Sequence, residues 1–220
     1  TAVRVEGYVK WLKNLASPRY DRVTHTLLRI EGLEGIARGV DLRIERASEH
    51  VYIVATYALA EVRYEGLVPW PGAAAAGTIG QVEFHPPHDR RHQVNLVAEY
   101  RRGPYRFGAL WQFGSGQPFS QILGFHPRIE LERPDGSFQT DPGATTVAMA
   151  EPFGGRTPSY HRLDVSAERR FMIGTTQVAV QAGVVNAYDR KNLFDYDVLT
   201  GERVDQLPFI PYLGLRFAVN

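Results

Sequence analysis

Hydrophobic and polar residues alternate with a period of two through most of this chain, and residues 89–119 hold the clearest stretch. In its first arm Val94, Leu96, Ala98 and Tyr100 share one face. Gln93, Asn95, Glu99 and Arg101 share the other, with Val97 the apolar exception. In its second arm Tyr105, Phe107, Ala109, Trp111 and Phe113 oppose Arg106, Gly108, Gln112 and Gly114, with Leu110 the exception. Successive side chains on a strand point to opposite faces, so the pattern predicts two strands joined at Arg102 and Gly103. Each arm runs for about 11–13 residues, against about 5–6 for strands of soluble domains and roughly 9–11 for strands that cross a bilayer. Length is the first sign that the apolar face looks at lipid.

The same alternation recurs along the chain. Residues 1–14 place Val3, Val5, Val9 and Trp11 against Arg4, Glu6, Tyr8 and Lys10. Residues 15–34 read as a loop with a short extended piece at 26–30. Residues 36–47 set Val40, Leu42 and Ile44 against Asp41, Arg43 and Glu45. Residues 50–65 are strand-like but apolar on both faces. Residues 158–171, 175–187 and 208–220 complete a set of about eight strands. The links alternate in length. Ser48–Glu49, Arg102–Gly103 and Ile173–Gly174 are tight, whereas 15–34, 66–87, 115–157 and 188–206 are long. Within 115–157, Asp135 and Gly136 predict a small hairpin. Long structureless loops count against a compact soluble domain. In an outer-membrane barrel, short periplasmic turns and long extracellular loops alternate in this way. With the chain's last residue on the periplasmic side, every tight turn falls there.

Composition narrows the classes. Lys plus Arg is 25 and Asp plus Glu is 24, so nothing points to nucleic acid. Cysteine is absent, which removes a disulfide framework and a thiolate metal site. No apolar run is long enough for a membrane-crossing helix, a test that a β-barrel escapes. Charged residues such as Asp41, Arg43, Glu99, Arg162, Asp164 and Glu168 alternate with aliphatic ones. Two architectures satisfy that pattern: a barrel with the charges lining water, and a soluble sandwich with the aliphatics in a core. Strand length, loop alternation and aromatics near strand ends favour the barrel. The expected fold class is therefore all-β, an antiparallel up-and-down transmembrane β-barrel segment of about eight long strands.

Several stretches carry a family resemblance. Gly39-Val40-Asp41-Leu42 and Pro87-His88-Asp89-Arg90-Arg91-His92 with Asn95 resemble strand starts of TonB-dependent outer-membrane receptors. Gly114-Ser115-Gly116-Gln117-Pro118-Phe119 resembles a strand exit of that family. Tyr160-His161-Arg162-Leu163-Asp164 and Val185-Asn186-Ala187-Tyr188-Asp189 with Asn192 resemble further family motifs. The segment from Tyr212 to Val219 resembles the signal read by the barrel-assembly machinery, here Gly214, Phe217 and Val219. Asn220 stands where many members end on an aromatic residue.

The resemblance implies that residues 1–220 are the C-terminal part of a receptor barrel in the bacterial outer membrane. Members have roughly 22 strands around an N-terminal plug, and the plug and the segment gripped by TonB are absent here. The expected partners are outer-membrane lipid, the plug and remaining strands, TonB through that plug, the barrel-assembly machinery, and a small-molecule or glycan ligand. The implied function is active uptake of a scarce nutrient such as a siderophore, cobalamin or glycan. The competing classes are a soluble β-sandwich binding module, for example for carbohydrate, and a passive porin-like barrel.

Candidate sites follow. The segment 115–157 is the longest outer loop, and Phe119, Phe125, His126, Arg128 and Phe153 are its ligand-contact candidates. Aromatic residues there also serve simply to pack a loop on itself. His85, His88 and His92 invite a metal reading, but a loop leading into a strand explains them, and no metal or cofactor is expected. Asp89, Arg90 and Arg91 read as ion pairs capping a strand. Arg162 and Asp164 are expected to pair with neighbouring strands. Asn186 and Asn192 are expected to fix a turn through side-chain-to-backbone bonds. Ser115 and Ser120 have no interpretable His–acid partners, so no catalysis is expected.

Overall fold

A computed structural model describes residues 1–20, 27–67, 81–130, 139–151, 153–197 and 200–219. Among them there is no helix, and the architecture is all-β. Eight long strands form one antiparallel sheet in up-and-down order: β1 (Ala2–Tyr20), β2 (Leu27–Ala47), β3 (Val51–Leu67), β5 (His92–Arg102), β6 (Tyr105–Gly114), β11 (Tyr160–Ile173), β12 (Thr176–Val185) and β15 (Ile210–Val219). Short β4 (Gln81–Phe84) pairs with the end of β3. The remaining strands make three small ribbons: β7 (Pro118–Phe119) with β10 (Gly155–Arg156), β8 (Ile122–Glu130) with β9 (Gln139–Met149), and β13 (Leu193–Tyr196) with β14 (Arg203–Asp205).

The register carries the predicted alternation across the whole sheet. One cross-strand row runs Val3, Ile44, Ala55, Leu96, Trp111 and Leu163. Another runs Val51, Tyr100, Phe107, Ala167, Ala182 and Leu213. These rows belong to one apolar face. The opposite face carries Arg43, Thr56, Asn95, Gln112 and Arg162 in a single row. β3, which reads as apolar on both sides, thus turns Ile53, Ala55, Tyr57 and Leu59 to the apolar face.

The sheet is one layer thick. Its substantial contacts join only strands that are hydrogen-bonded to each other. Among the described residues no second sheet covers the apolar face, so Trp11 is 74% exposed, Phe107 47% and Leu213 73%. The described residues therefore do not form a two-layer sandwich. The sheet is also not closed: β1 and β15 are its two edges and do not pair with each other. The eight-stranded barrel that the strand count would permit is not formed.

Residues 15–34 depart from the loop expected of them. β1 continues to Tyr20, and β2 begins at Leu27 and pairs with it residue by residue. A register shift between Leu12 and Leu15 absorbs the irregularity, with Asn14 in the left-handed region at φ 56°. Pro18 is tolerated because β1 is an edge strand with one side free of ladder bonds. The described parts of the long links likewise hold the short strands β4, β7–β10, β13 and β14. β8 and β9 do pair as a hairpin, while Asp135 and Gly136 lie outside the described residues.

The tight turns fall where expected. Gly103 (φ 56°) and Gly174 (φ 59°) adopt left-handed conformations that favour glycine. Three cross-strand pairs on the polar face set a tyrosine over a glycine: Tyr8 with Gly39, Tyr64 with Gly35 and Tyr212 with Gly183. A Cβ on Gly39 would lie 2.6 Å from the Tyr8 hydroxyl, and one on Gly35 2.6 Å from the Tyr64 ring. The ring occupies the space that a side chain would need, and so marks the register. Gly39→Val is expected to lower stability by about 1–3 kcal/mol through this overlap, measured by urea unfolding. Gly103→Val meets no nearby atom and tests the backbone conformation alone.

Candidate functional site

All three tight turns lie at one end of the sheet, and the elaborated connections β3–β5, β6–β11 and β12–β15 leave from the other. At this loop end the polar side chains become buried. Asp89 is 1% exposed. Its Oδ1 accepts the Val62 backbone N–H at 2.8 Å, and its Oδ2 takes the Arg156 guanidinium at 2.8 Å. Arg91 approaches the same carboxylate at 3.7 Å. Arg156 also donates to the Asp89 and Gly116 carbonyls. One carboxylate therefore ties β3, the start of β5 and β10 together across wide gaps in sequence.

The glycine pattern beside it has a packing cause. A Cβ on Gly114 would strike the Arg90 side chain at 2.8 Å, and one on Gly116 would collide with the Thr157 carbonyl. Ser115 between them accepts the His92 N–H at 3.0 Å and donates its own N–H to the His92 carbonyl at 2.9 Å. Its hydroxyl thus takes part in the strand exit.

A second knot closes the base of the β12–β15 connection. Asn186 is fully buried and left-handed, with φ 55°. Its amide donates to the Arg190 and Leu207 carbonyls at 3.0 Å each, and its carbonyl accepts the Arg190 N–H at 3.0 Å. Asn192 meets β11 as a strand would: its carbonyl accepts the His161 N–H at 3.0 Å and its amide donates to the His161 carbonyl at 2.9 Å. Asp189 accepts the Phe209 N–H at 2.8 Å. Tyr188 and His161 share a hydrogen bond of 2.9 Å. Burial pushes the Tyr188 phenol above its ordinary range, with a hydrogen bond to Trp111 and the Arg190 charge opposing.

Asp164, expected with Arg162 to pair with neighbouring strands, reaches the end of β12 through the Asn186 N–H, while the Arg162 guanidinium bonds within its own strand. The two pair with each other at 2.9 Å, two residues apart on one face, and the other Asp164 oxygen accepts the Asn186 N–H at 2.9 Å. The same spacing recurs at Arg43–Glu45, Arg101–Glu99 and Arg170–Glu168. Arg106 adds a cross-strand partner for Glu99. The polar face is thereby covered by locally neutralised charge, largely solvated and of small energetic weight per pair. It holds a trough of about 320 Å³ lined by Arg4, Glu6, Asp41, Arg43, Gln93 and Asn95. Donors and acceptors of both signs line this trough, a surface suited to water and hydroxylated solutes rather than to one fixed charge.

The three histidines take separate partners: His85 the Val62 carbonyl, His88 the Tyr64 hydroxyl and His92 the Tyr57 hydroxyl. Among the described residues no group of three metal-capable side chains converges.

The ligand-contact candidates separate into two groups. Phe119 lies on β7 opposite Gly155, edge-on to Tyr196 at 6.4 Å. Phe153 stacks on Phe84 at 5.2 Å. These two pack loop against loop. Phe125 is 56% exposed on the β8–β9 hairpin, and His126 and Arg128 follow it on β8. Gly214, Phe217 and Val219 lie on edge strand β15, opposite Gln181, Val178 and Thr176. Arg156 is a rim residue that reading the sequence missed. It lies 67 residues from Asp89, and no local pattern links the two.

Comparison with protein-family models, with curated proteins and with solved structures finds no match.

Asp89→Ala removes the partner of Arg156 and of the Val62 N–H together. A loss of about 2–4 kcal/mol of local stability is expected, seen as faster proteolytic nicking of the 115–157 segment with the main sheet intact. Asn186→Ala gives up the side-chain bonds and strains the left-handed backbone, and is expected to cost about 2–4 kcal/mol. Hydrogen exchange should then rise in the β12–β15 connection before it rises in β5 or β6.

Proposed function

We propose that this sheet is part of the wall of an outer-membrane transport barrel. In this reading its apolar face meets lipid and its polar face lines the interior. Its function would be active uptake of a scarce nutrient, energised by TonB acting on a plug that the barrel surrounds. Support comes above all from one observation. A predominantly apolar face spans eight strands opposite a charged one, with every tight turn at one end and every elaborated connection at the other. A single layer of this kind has no water-compatible way to cover Trp11, Leu213 and Phe217, whereas a bilayer covers them without a second sheet. The free ladders of β1 and β15 are then completed by further strands of the same wall.

In this reading the rim knots around Asp89 and Asn186 hold the loop bases rigid. Phe125, His126 and Arg128 on the projecting hairpin are the proposed ligand contacts. The resemblance of the Asp89, Gly114, Asp164 and Asn186 motifs to those of TonB-dependent receptors selects active uptake over passive diffusion.

Topology gives the test. An epitope inserted after Gly201, in the exposed β13–β14 turn, is expected to be reached by antibody on intact cells expressing the protein. One inserted after Gly103 is expected to be reached only after the outer membrane is permeabilised. Purified protein that stays monodisperse without detergent or lipid, or equal access to both epitopes, would sink the proposal.

A further inference from the structure

The apolar face is interrupted near its tight-turn end. Arg102 and Arg169 are the cross-strand neighbours of Tyr105, one on each side. Alternation puts both on the face that carries Tyr100, Phe107 and Phe171. The Arg169 guanidinium lies over the Tyr105 ring at 5.5 Å and the Phe171 ring at 6.0 Å. Both arginines are exposed, and Tyr105 is 43% exposed. Neither arginine has a carboxylate partner among the described residues. Glu99 and Glu168, the nearest acids in sequence, are taken by Arg101, Arg106 and Arg170 on the opposite face. The loop end of the apolar face differs: there Arg38, Arg63 and Arg91 all share Glu61. Uncompensated positive charge is thus a property of the turn end of this face.

Beside the arginines lies an apolar groove of about 760 Å³, lined by Phe107, Val165, Ala167, Ala182, Val184 and Leu213. Ala167 and Ala182 are cross-strand neighbours on its floor. Arg169 follows Ala167 by two residues on the same face of β11 and so stands at the groove's turn-side end.

We propose that Arg102, Tyr105 and Arg169 bind the phosphate of an anionic glycerophospholipid whose acyl chain lies in the adjoining groove. The inference rests on the membrane reading above. A guanidinium presents paired N–H donors that match phosphate oxygens, and the tyrosine hydroxyl supplies another donor. Long cationic side chains on a lipid-facing surface extend their heads to the headgroup layer while their stems stay in contact with apolar neighbours. A positive pair without acids, joined to an apolar groove, is complementary to one molecule with a negative head and an alkyl tail.

The test compares partitioning of the protein into phosphatidylcholine vesicles with and without phosphatidylglycerol, followed by tryptophan emission. The wild type is expected to favour the anionic vesicles by about five-fold per arginine. R102Q/R169Q should insert into pure phosphatidylcholine as the wild type does and lose that preference. R102K/R169K should keep most of it, and the charge-matched R43Q/R101Q on the polar face should keep all of it. A preference unchanged in R102Q/R169Q, or lost equally in R43Q/R101Q, overturns the site and leaves the membrane reading standing. A wild-type protein that inserts into neither vesicle overturns both. Should R102Q/R169Q not fold, the wild type decides alone: a preference abolished by high salt supports the site, and no preference overturns it.

Discussion

A one-layer sheet depends on a single condition: every backbone ladder must be paired while its two faces meet different surroundings. In this protein the ladders between β1 and β15 are made by neighbouring strands alone. No helix or second sheet assists them among the described residues. Register therefore carries more weight than in a packed core, because a slip of one residue would exchange the two faces of a strand. Several local devices guard against such a slip. Gly103 and Gly174 hold the turns, and Tyr8, Tyr64 and Tyr212 each lie over a glycine that admits no other residue without displacement. Arg–Glu pairs two residues apart keep charge on the polar side.

The loop end shows how such a sheet stops. Where the ladder runs out, side chains take over its hydrogen bonds. Asn192 meets both main-chain groups of His161, Asp89 accepts from Val62, and Ser115 completes the pairing of His92. The buried Asp89 carboxylate and the Asn186 and Asn192 amides are satisfied within the knots, whereas Nε of Arg90, Arg91, Arg162 and Arg190 is buried beside them without a partner among the described residues. The result is a firm base under connections whose hairpin β8–β9 projects beyond it. On the proposed reading this is the division that a transport wall needs. In that reading rigid strand ends would hold a lumen open, and the connecting segments would be free to differ according to the ligand.

Much of this was legible along the chain, and the parts that were not have specific causes. Strands from Val94 to Tyr100, Tyr105 to Phe113 and Val178 to Val184 follow from alternation, because side-chain period two has no other regular solution. The continuation of β1 through residues 15–20 and of β2 from residue 27 was hidden by Pro18 and by the glycines. Its cause is a bulge at Asn14 and an edge position, both of which depend on a neighbour strand. Both side-chain bonds of Asn192 reach His161 on β11, 31 residues away, whereas the role of Asn186 was readable because its bonds to Arg190 are local. The Asp89–Arg156 pair was not, because nothing at either position encodes a partner 67 residues away. Likewise Arg162 read as a partner for a neighbouring strand, while the nearer same-face position on its own strand won.

The sequence by itself determined the strand character of the chain, the division into an apolar and a charged face, the tight turns and the sites of the elaborated connections. Each of these is a consequence of residue type at short range. Tertiary structure alone decided that the strands form a single open layer, that both edges stay unpaired, and that Arg102 and Arg169 flank Tyr105 without an acid between them. Those features depend on which strand lies beside which and in what register. Alternation specifies the face of a side chain, but only the hydrogen-bonded neighbour specifies what stands next to it.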